Sequence, residues 1–291
     1  MGKNKRWKIV FLIFFIGAGL IGIELYRSSK VLSPEYFQFQ TKKVKKPFRI
    51  AVISDLHDQQ FGKKNQKLIR LIKKENPDMV LMVGDMLDKD SANAQIPIYL
   101  VERLSKLAPV YYALGNHEID YEKKKGGGYR KELLKAGAHI LDRTYEDIMI
   151  KGNPVRIGGM FDYAFSLTEN EKEYQRSPEY SFLKDFEDTD QLKLYVTHRP
   201  EAFFWSVGKG KNNWDLDVVF SGHIHGGQVV LPVLGGIYGA EQGWFPEYVD
   251  GKYELNQSTL FVTRGLGSSD QKIPRFFNLP QLMVIDVMPG G

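Results

Sequence analysis

The sequence predicts a layered α/β fold behind an apolar N-terminal helix, and three observations predict it. From Phe48 onward, short apolar runs alternate with amphipathic stretches, which is the rhythm of strands and helices packed in layers. With 291 residues and 43% hydrophobic content, the chain can bury a full core. Polar motifs rich in histidine and carboxylate begin where the apolar runs end, so loops at strand ends converge on one edge of a sheet.

The first element is a basic cluster, Lys3, Lys5, Arg6 and Lys8, followed by an uncharged run from Ile9 to Ile23. That run alone spans only ~22 Å as a helix, short of a ~30 Å hydrocarbon core. Trp7 to Tyr26 is long enough, with an aromatic at each interface and Lys8 reaching back to the headgroups. Residues 1–26 therefore read as a signal anchor with the N-terminus inside. The protein would be a single-pass protein of the cell membrane with its body extracytoplasmic. A cleaved signal peptide and a buried soluble helix are the alternatives. Cleavage lacks a suitable small-residue site, since Gly17-Ala18-Gly19 lies inside the run and Tyr26-Arg27-Ser28 is bulky and charged. Residues 27–47 read as a linker. Its lysines 42, 43, 45 and 46, with Arg49 just beyond, lie in solvent or against anionic headgroups.

Residues 48–291 read as one large domain. Strands are expected at Ile50–Ser54, Met79–Val83, Val110–Leu114 and Ile140–Leu141, then at Val155–Met160, Leu194–Thr197, Val218–Ser221, Leu260–Thr263 and Leu282–Val287. Helices are expected at Asn65–Glu75, with Leu68, Ile69, Leu71 and Ile72 on one face, at Ile98–Leu107, and at Arg130–Ala136, closed by Gly137.

Charge divides along the chain. Residues 1–49 hold 11 Lys or Arg and two acids, while residues 50–291 hold 29 basic and 33 acidic side chains, so the net +5 belongs to the N-terminus. A nucleic-acid partner is not expected of the body. Cysteine is absent, which excludes disulfides, thiolate metal sites and thiol nucleophiles.

Five of the six histidines fall in four short motifs: Ser54-Asp55-Leu56-His57, Gly115-Asn116-His117-Glu118, Thr197-His198-Arg199-Pro200 and Gly222-His223-Ile224-His225. A fifth motif, Gly84-Asp85-Met86-Leu87-Asp88, adds carboxylates. Asp55 with His57, and His223 with His225, are mixed or paired donors two residues apart. Asp85 lies between them in sequence as a bridging carboxylate, and Asn116 and His198 complete two coordination shells. These seven donors suit two divalent ions such as Mn²⁺, Fe²⁺, Zn²⁺ or Co²⁺. Two ions ~3.5–4 Å apart generate hydroxide and neutralise a phosphoryl group during in-line displacement. His117, adjacent to a ligand, is the candidate acid for the leaving oxygen, and Asp88 is the residue to hold its tautomer. His139 has no partner motif and reads as an ordinary histidine.

The set Asp-x-His, Gly-Asp-x-x-Asp, Gly-Asn-His-Glu, a single His and Gly-His-x-His, spanning Asp55 to His225, resembles the calcineurin-like metallophosphoesterase superfamily. The resemblance implies a four-layer α/β/β/α sandwich as the catalytic domain. It places one metal on Asp55, His57, Asp85 and His225 and the other on Asp85, Asn116, His198 and His223, with His117 as acid and Asp88 behind it. Gly226-Gly227-Gln228, Gly235-Gly236-Ile237-Tyr238, Arg264-Gly265-Leu266-Gly267 and Pro274-Arg275-Phe276-Phe277-Asn278 look like the membrane-anchored bacterial phosphodiesterase subgroup. Phosphoprotein phosphatases of the superfamily carry Arg after Gly-Asp-x-x-Asp, where this chain has Lys89; the two do not clamp phosphate alike.

The expected activity is metal-dependent phosphoester hydrolysis at the membrane, on diesters rather than phosphoproteins, with a lipid-linked substrate as one candidate. A pyrophosphohydrolase of a nucleotide-linked glycolipid and a non-catalytic scaffold are the alternatives. Arg199 and Arg264 are candidates either for substrate clamps or for structural ion pairs. Phe203, Phe204, Trp205, Trp244 and Phe245 either pack in loops or line an apolar rim facing the bilayer.

Overall fold

Side chains alternating along two six-stranded sheets set the layers. The computed structural model describes residues 3–161, 175–201, 214–239, 242–255, 257–268 and 273–290. The first sheet comprises β1 (Ser33–Thr41), β2 (Phe48–Ile53), β3 (Met79–Val83), β4 (Val110–Ala113), β5 (Ala138–Leu141) and β16 (Gln281–Pro289), in the order β1-β16-β2-β3-β4-β5. The second comprises β6 (Thr144–Ile150), β7 (Asn153–Gly159), β8 (Leu192–Val196), β9 (Val218–Ser221), β14 (Gly251–Leu255) and β15 (Ser258–Val262), in the order β14-β15-β9-β8-β7-β6. Two small hairpins pair β10 (Val230–Leu231) with β11 (Gly235–Gly236) and β12 (Tyr238–Gly239) with β13 (Gly243–Trp244).

Ile50 and Val52 of β2, Leu81 and Val83 of β3, and Met283 and Ile285 of β16 face Leu194 and Val196 of β8 and Phe220 of β9, filling the space between the sheets. Their neighbours Ala51, Ile53, Val80, Met82 and Val284 point the other way, onto helices α2 (Gln66–Glu75), α3 (Gln95–Leu104) and α5 (Tyr129–Ala136). Tyr195, Val219 and Leu260 cover the outer face of the second sheet with Leu183 and Phe186 of the helix Pro178–Glu187. Strands buried on both faces read as continuous apolar runs, which is why β3 and β8 are entirely hydrophobic or buried along their length. The four-layer α/β/β/α sandwich is thus the observed fold.

The parallel runs β2, β3, β4, β5 and β7, β8, β9, β15 all lead into loops at the same kind of strand end. The expected strands and helices appear with boundary shifts of a few residues. Elements not anticipated are β1, β6, the short strands β10 to β13, β14, the helix α4 (Asn116–Lys125) and Pro178–Glu187.

The linker reading of residues 27–47 is corrected. Helix α1 (Lys3–Lys30) runs on to Lys30, and β1 adds to the sheet edge, pairing in parallel with β16 from Ser33↔Gln281 to Thr41↔Pro289. Phe37 and Phe39 pack against the inter-sheet core and Val44 is buried in it, while Gln38 and Gln40 face outward. Nor are all the basic side chains here left for headgroups. Lys43 pairs with Asp217 at 2.8 Å, and Arg49 pairs with Asp286 at 2.7 Å and contacts Glu75. Replacing Phe37 and Phe39 together by Ala should lower stability by about 2–3 kcal/mol, from apolar area returned to water. Chemical denaturation measures this, and an unchanged midpoint would restore the linker.

Candidate metal centre

Five loops carry the polar motifs, one after each of β2, β3, β4, β8 and β9, and the strand ladders continue into them. The Asp55 N–H donates to the Gly84 carbonyl at 2.9 Å, that of His57 to Asp85 at 3.1 Å, and that of Gly222 to His198 at 2.9 Å. The two sheets are stitched where Leu266 N–H donates to the Ser54 carbonyl and Gly267 N–H to that of Asp55. Bending at strand ends is steep: Asp55, His57, Asp85, His223 and His225 all hold positive φ, between 44° and 73°. Asp and His tolerate this region better than most residues, yet each such turn costs roughly 1–3 kcal/mol, and such turns cluster at functional sites.

The loops bring together two trios. Asp55, His57 and His225 offer donor atoms within 4.8 Å of one another, and Asp85, His198 and His223 do the same. Asp85 faces both, its Oδ2 lying 3.1 Å from His198 Nε2 and 3.9 Å from His57 Nε2. His225 Nε2 lies 3.6 Å from Asp55 Oδ1, and the rings of His57 and His225 stack at 5.1 Å. Both ring nitrogens of His57 and the Oδ1 of Asn116 are buried with no hydrogen-bond partner among the described residues. Orphaned buried donor atoms are costly unless something fills the space between them, and this donor set fits divalent cations.

Backbone carbonyls orient the rings. His198 Nδ1–H donates to the Val83 carbonyl at 2.7 Å, and His225 Nδ1–H to that of Gly267 at 3.3 Å, so each turns Nε2 toward the cluster. Space is tight. A Cβ on Gly115 would collide with the Asp85 carboxylate, and one on Gly84, at φ +79°, would come 2.7 Å from His198 Nδ1.

Burial pushes His57 well below the usual imidazole range and lowers His225 to about 4, leaving both neutral with lone pairs available. For His198 burial acts in the same direction but is outweighed by the charge and hydrogen bond of Asp85, then by Asp55, which raise it to about 10. Burial likewise opposes ionisation of Asp85, but His198 beside it holds that carboxyl well below the ordinary range.

His117 sits at the partly open side, edge-on to His57 at 4.6 Å. One expectation is corrected here: its Nδ1 accepts from the Lys89 backbone N–H at 3.0 Å, so that amide, rather than Asp88, fixes the tautomer with the neutral ring's proton on Nε2. Asp88 Oδ2 lies 3.6 Å from the same Nδ1 and 3.8 Å from His57 Nδ1, close enough to act by charge. His57, Asp88 and His117 also come within reach of one ion. Of the arginines, Arg264 takes the structural alternative, with one terminal nitrogen on Glu35 and the other 3.0 Å from Asp250. Arg199, the residue after His198 in the chain, is buried. Trp244 and Phe245 are exposed, while Phe203, Phe204 and Trp205 lie outside the described residues. His139 is half-exposed and contacts Glu146 at 2.9 Å.

Sequence reasoning missed the residues that hold the loops. Glu118 is fully buried and accepts the backbone N–H groups of Asp85 (2.8 Å), Met86 (2.7 Å) and Gly115 (2.8 Å) and the Tyr112 hydroxyl (2.8 Å). Its position, three residues into the N-terminus of α4, is a capping signal that could have found it. Arg275 is buried with its guanidinium on the carbonyls of Arg264, Gly267 and Asn278, and burial followed by the charge of Arg264 lowers it to about 9. The Gly267 carbonyl it fixes is the one that orients His225. The sequence offered it only within the closing motif Pro274-Arg275-Phe276-Phe277-Asn278, with no role attached.

Residues 48–227 match the family described as calcineurin-like phosphoesterase. Over 92% of the chain and 68% of the relative, it is 26% identical to an uncharacterised metallophosphoesterase of Campylobacter jejuni. It is 24% identical to the protein named phosphodiesterase YaeI of Escherichia coli, covering 76% of each chain. Identity is also 24% to a Danio rerio protein named transmembrane protein with metallophosphoesterase domain, over 75% of this chain and 48% of that one.

Two outcomes follow from the geometry. Glu118→Ala leaves three buried N–H groups without an acceptor and should cost roughly 3–5 kcal/mol, with loss of bound metal, as measured by denaturation and metal analysis. Because His198 in the metal-free chain holds its proton up to about pH 10, an ion taking its Nε2 must expel that proton. Apparent metal affinity should therefore rise with pH, with on the order of one proton released per chain. Calorimetry in buffers of different ionisation enthalpy counts that proton, and a count of zero would contradict the buried Asp85–His198 pair.

Proposed function

Because the chain belongs to the calcineurin-like phosphoesterase family, we propose that it is a membrane-anchored phosphodiesterase in which Asp55, His57, Asp85 and His225 hold one divalent ion and Asp85, Asn116, His198 and His223 hold a second. The single observation that carries this reading is the pair of donor trios meeting at Asp85, with the orphaned donor atoms of His57 and Asn116 beside them. The family uses a dinuclear divalent centre, and this donor chemistry suits Mn²⁺, Fe²⁺, Zn²⁺ or Co²⁺.

When bound, such a pair supplies hydroxide at neutral pH and neutralises phosphoryl oxygens. The chain's residues do the rest. Asp85, held ionised by His198 against the opposing effect of burial, balances charge between the two halves of the cluster. Val83 and Gly267 keep His198 and His225 in the ligating tautomer. His117 directs Nε2–H toward the cluster, where it can donate to the leaving oxygen, with the Asp88 carboxylate 3.6 Å from its Nδ1. Arg199, adjacent to His198, is the remaining candidate for the substrate phosphate.

A diester is favoured over a phosphoprotein because Lys89 replaces the arginine of the phosphatase motif, and a relative bears the name phosphodiesterase. Helix α1 supports the anchor. From Trp7 to Lys30 it is long and apolar enough to cross a membrane and is 6% buried. The basic cluster before it favours an extracytoplasmic body.

Purified full-length protein loaded with Mn²⁺ should hydrolyse simple diesters. A metal content well below two per chain, together with no hydrolysis of any ester, would overturn the reading. His117→Ala should keep both ions and lose activity by ~10²-fold or more. Equal activity would remove the acid assignment.

A further inference from the structure

Among the described residues outside α1, large exposed apolar side chains gather on two adjoining hairpins and the loop beside them, Val233 and Leu234 in the β10–β11 turn, Trp244 and Phe245 at the end of β13, and Ile273 and Phe277 on the loop. The loops are stitched together. Val229 bridges Phe276, the Val230 N–H donates to the Phe276 carbonyl at 2.9 Å, and the Phe245 N–H donates to that of Ile237. Tyr36, Leu134 and Met149 are as exposed but sit singly on other elements.

The end of α1 lies against these loops. The Asn278 N–H, next to Phe277, donates to Ser28 Oγ at 3.2 Å, and Gln59 Nε2 donates to the Ser29 carbonyl at 3.1 Å. Glu24 and Ser28, one turn apart, are buried, whereas the preceding apolar turns are exposed. Ser28 lies five residues beyond Ile23, the last residue of the apolar run, which is ~7.5 Å along a helix. The headgroup layer on each side of the hydrocarbon is roughly 5–8 Å deep. A bilayer crossed by α1 therefore meets the protein at the level of Phe277 and its neighbours.

The same contacts lead inward. Asn278 Nδ2 donates to the carbonyl of His225 at 2.7 Å and to that of Gln228 at 3.1 Å, and Gln59 lies two residues after His57. One residue thus joins the anchor to a segment carrying a candidate metal ligand. Resting on the membrane-anchored diesterase reading above, we propose that Val233, Leu234, Trp244, Phe245, Ile273 and Phe277 form an apolar rim that enters the headgroup layer, and that the substrate is a phosphodiester carried by a membrane lipid. Aromatic side chains with one wet edge suit that layer, and a second contact beside the helix fixes the rotation of the body over the bilayer.

The absence of cysteine makes the test direct. Single cysteines replacing Phe277, Trp244, Met149 and Phe14 in the full chain carry an environment-sensitive fluorophore, in vesicles of phosphatidylethanolamine and phosphatidylglycerol containing nitroxide-labelled lipid. Quenching at 277, 244 and 14 but not at 149 is expected. Quenching at 14 with none at 277 and 244 overturns the rim and leaves the anchor, and no quenching at 14 overturns both. Disulfide-linked dimers formed by the unlabelled cysteine at 244 under air oxidation, with no lipid quenching of its labelled form, assign the patch to a second copy and overturn the rim. For the substrate class, the Trp244→Ser, Phe245→Ser double variant should lower the ratio of kcat/KM for a vesicle-borne lipid diester to that for water-soluble bis(4-nitrophenyl) phosphate by about tenfold. An unchanged ratio overturns the lipid assignment, and failure to hydrolyse either diester instead removes the diesterase reading beneath it.

Discussion

A single buried carboxylate governs the site. Glu118 gathers N–H groups from the loop after β3 and from the loop after β4, so two chain reversals that would otherwise be independent become one rigid corner. Charge-assisted bonds to backbone donors are strong and directional, which is what a corner built from strained turns requires. The αL conformations at Asp55, His57 and Asp85 persist only because their surroundings over-determine them. Burial then does double duty. It strips His57 and His225 of their protons and brings Asp85 and His198 close enough to share one.

The fold class and most strands were legible because strands buried on both faces are written as unbroken apolar runs, as in Met79–Val83 and Val218–Ser221. What escaped reading was structure whose stability comes from partners. β1 alternates Phe37 and Phe39 with glutamines, a half-buried edge pattern easily taken for polar linker. β6 reads as polar because it is an edge strand, and its backbone ladder is formed wholly with β7. Helix α4 begins inside a ligand motif, so its chemistry obscured its helicity.

The candidate ligands were equally legible, since each is a chemically unusual residue at the end of an apolar run. Their support was not. Glu118 stands in full view beside His117, yet its function is set by backbone groups more than thirty residues earlier in the chain. Arg275 and Asn278 act through carbonyls on distant loops, a relation with no local periodicity. Arg264 shows the converse: a suggestive arginine whose partners, Glu35 and Asp250, become visible only once β1 is in place.

The parallel pairing of β1 with β16 joins the two ends of the body, Ser33 lying against Gln281. During synthesis β1 emerges long before β16, the strand that completes its edge. The nascent chain must therefore carry an unpaired edge strand, with Phe37 and Phe39 uncovered, through nearly the whole of elongation. Contacts of such long sequence separation form slowly. Closure of the sheet at this edge is then a late event of maturation, and a chain truncated before β16 would be left with an open, adhesive flank.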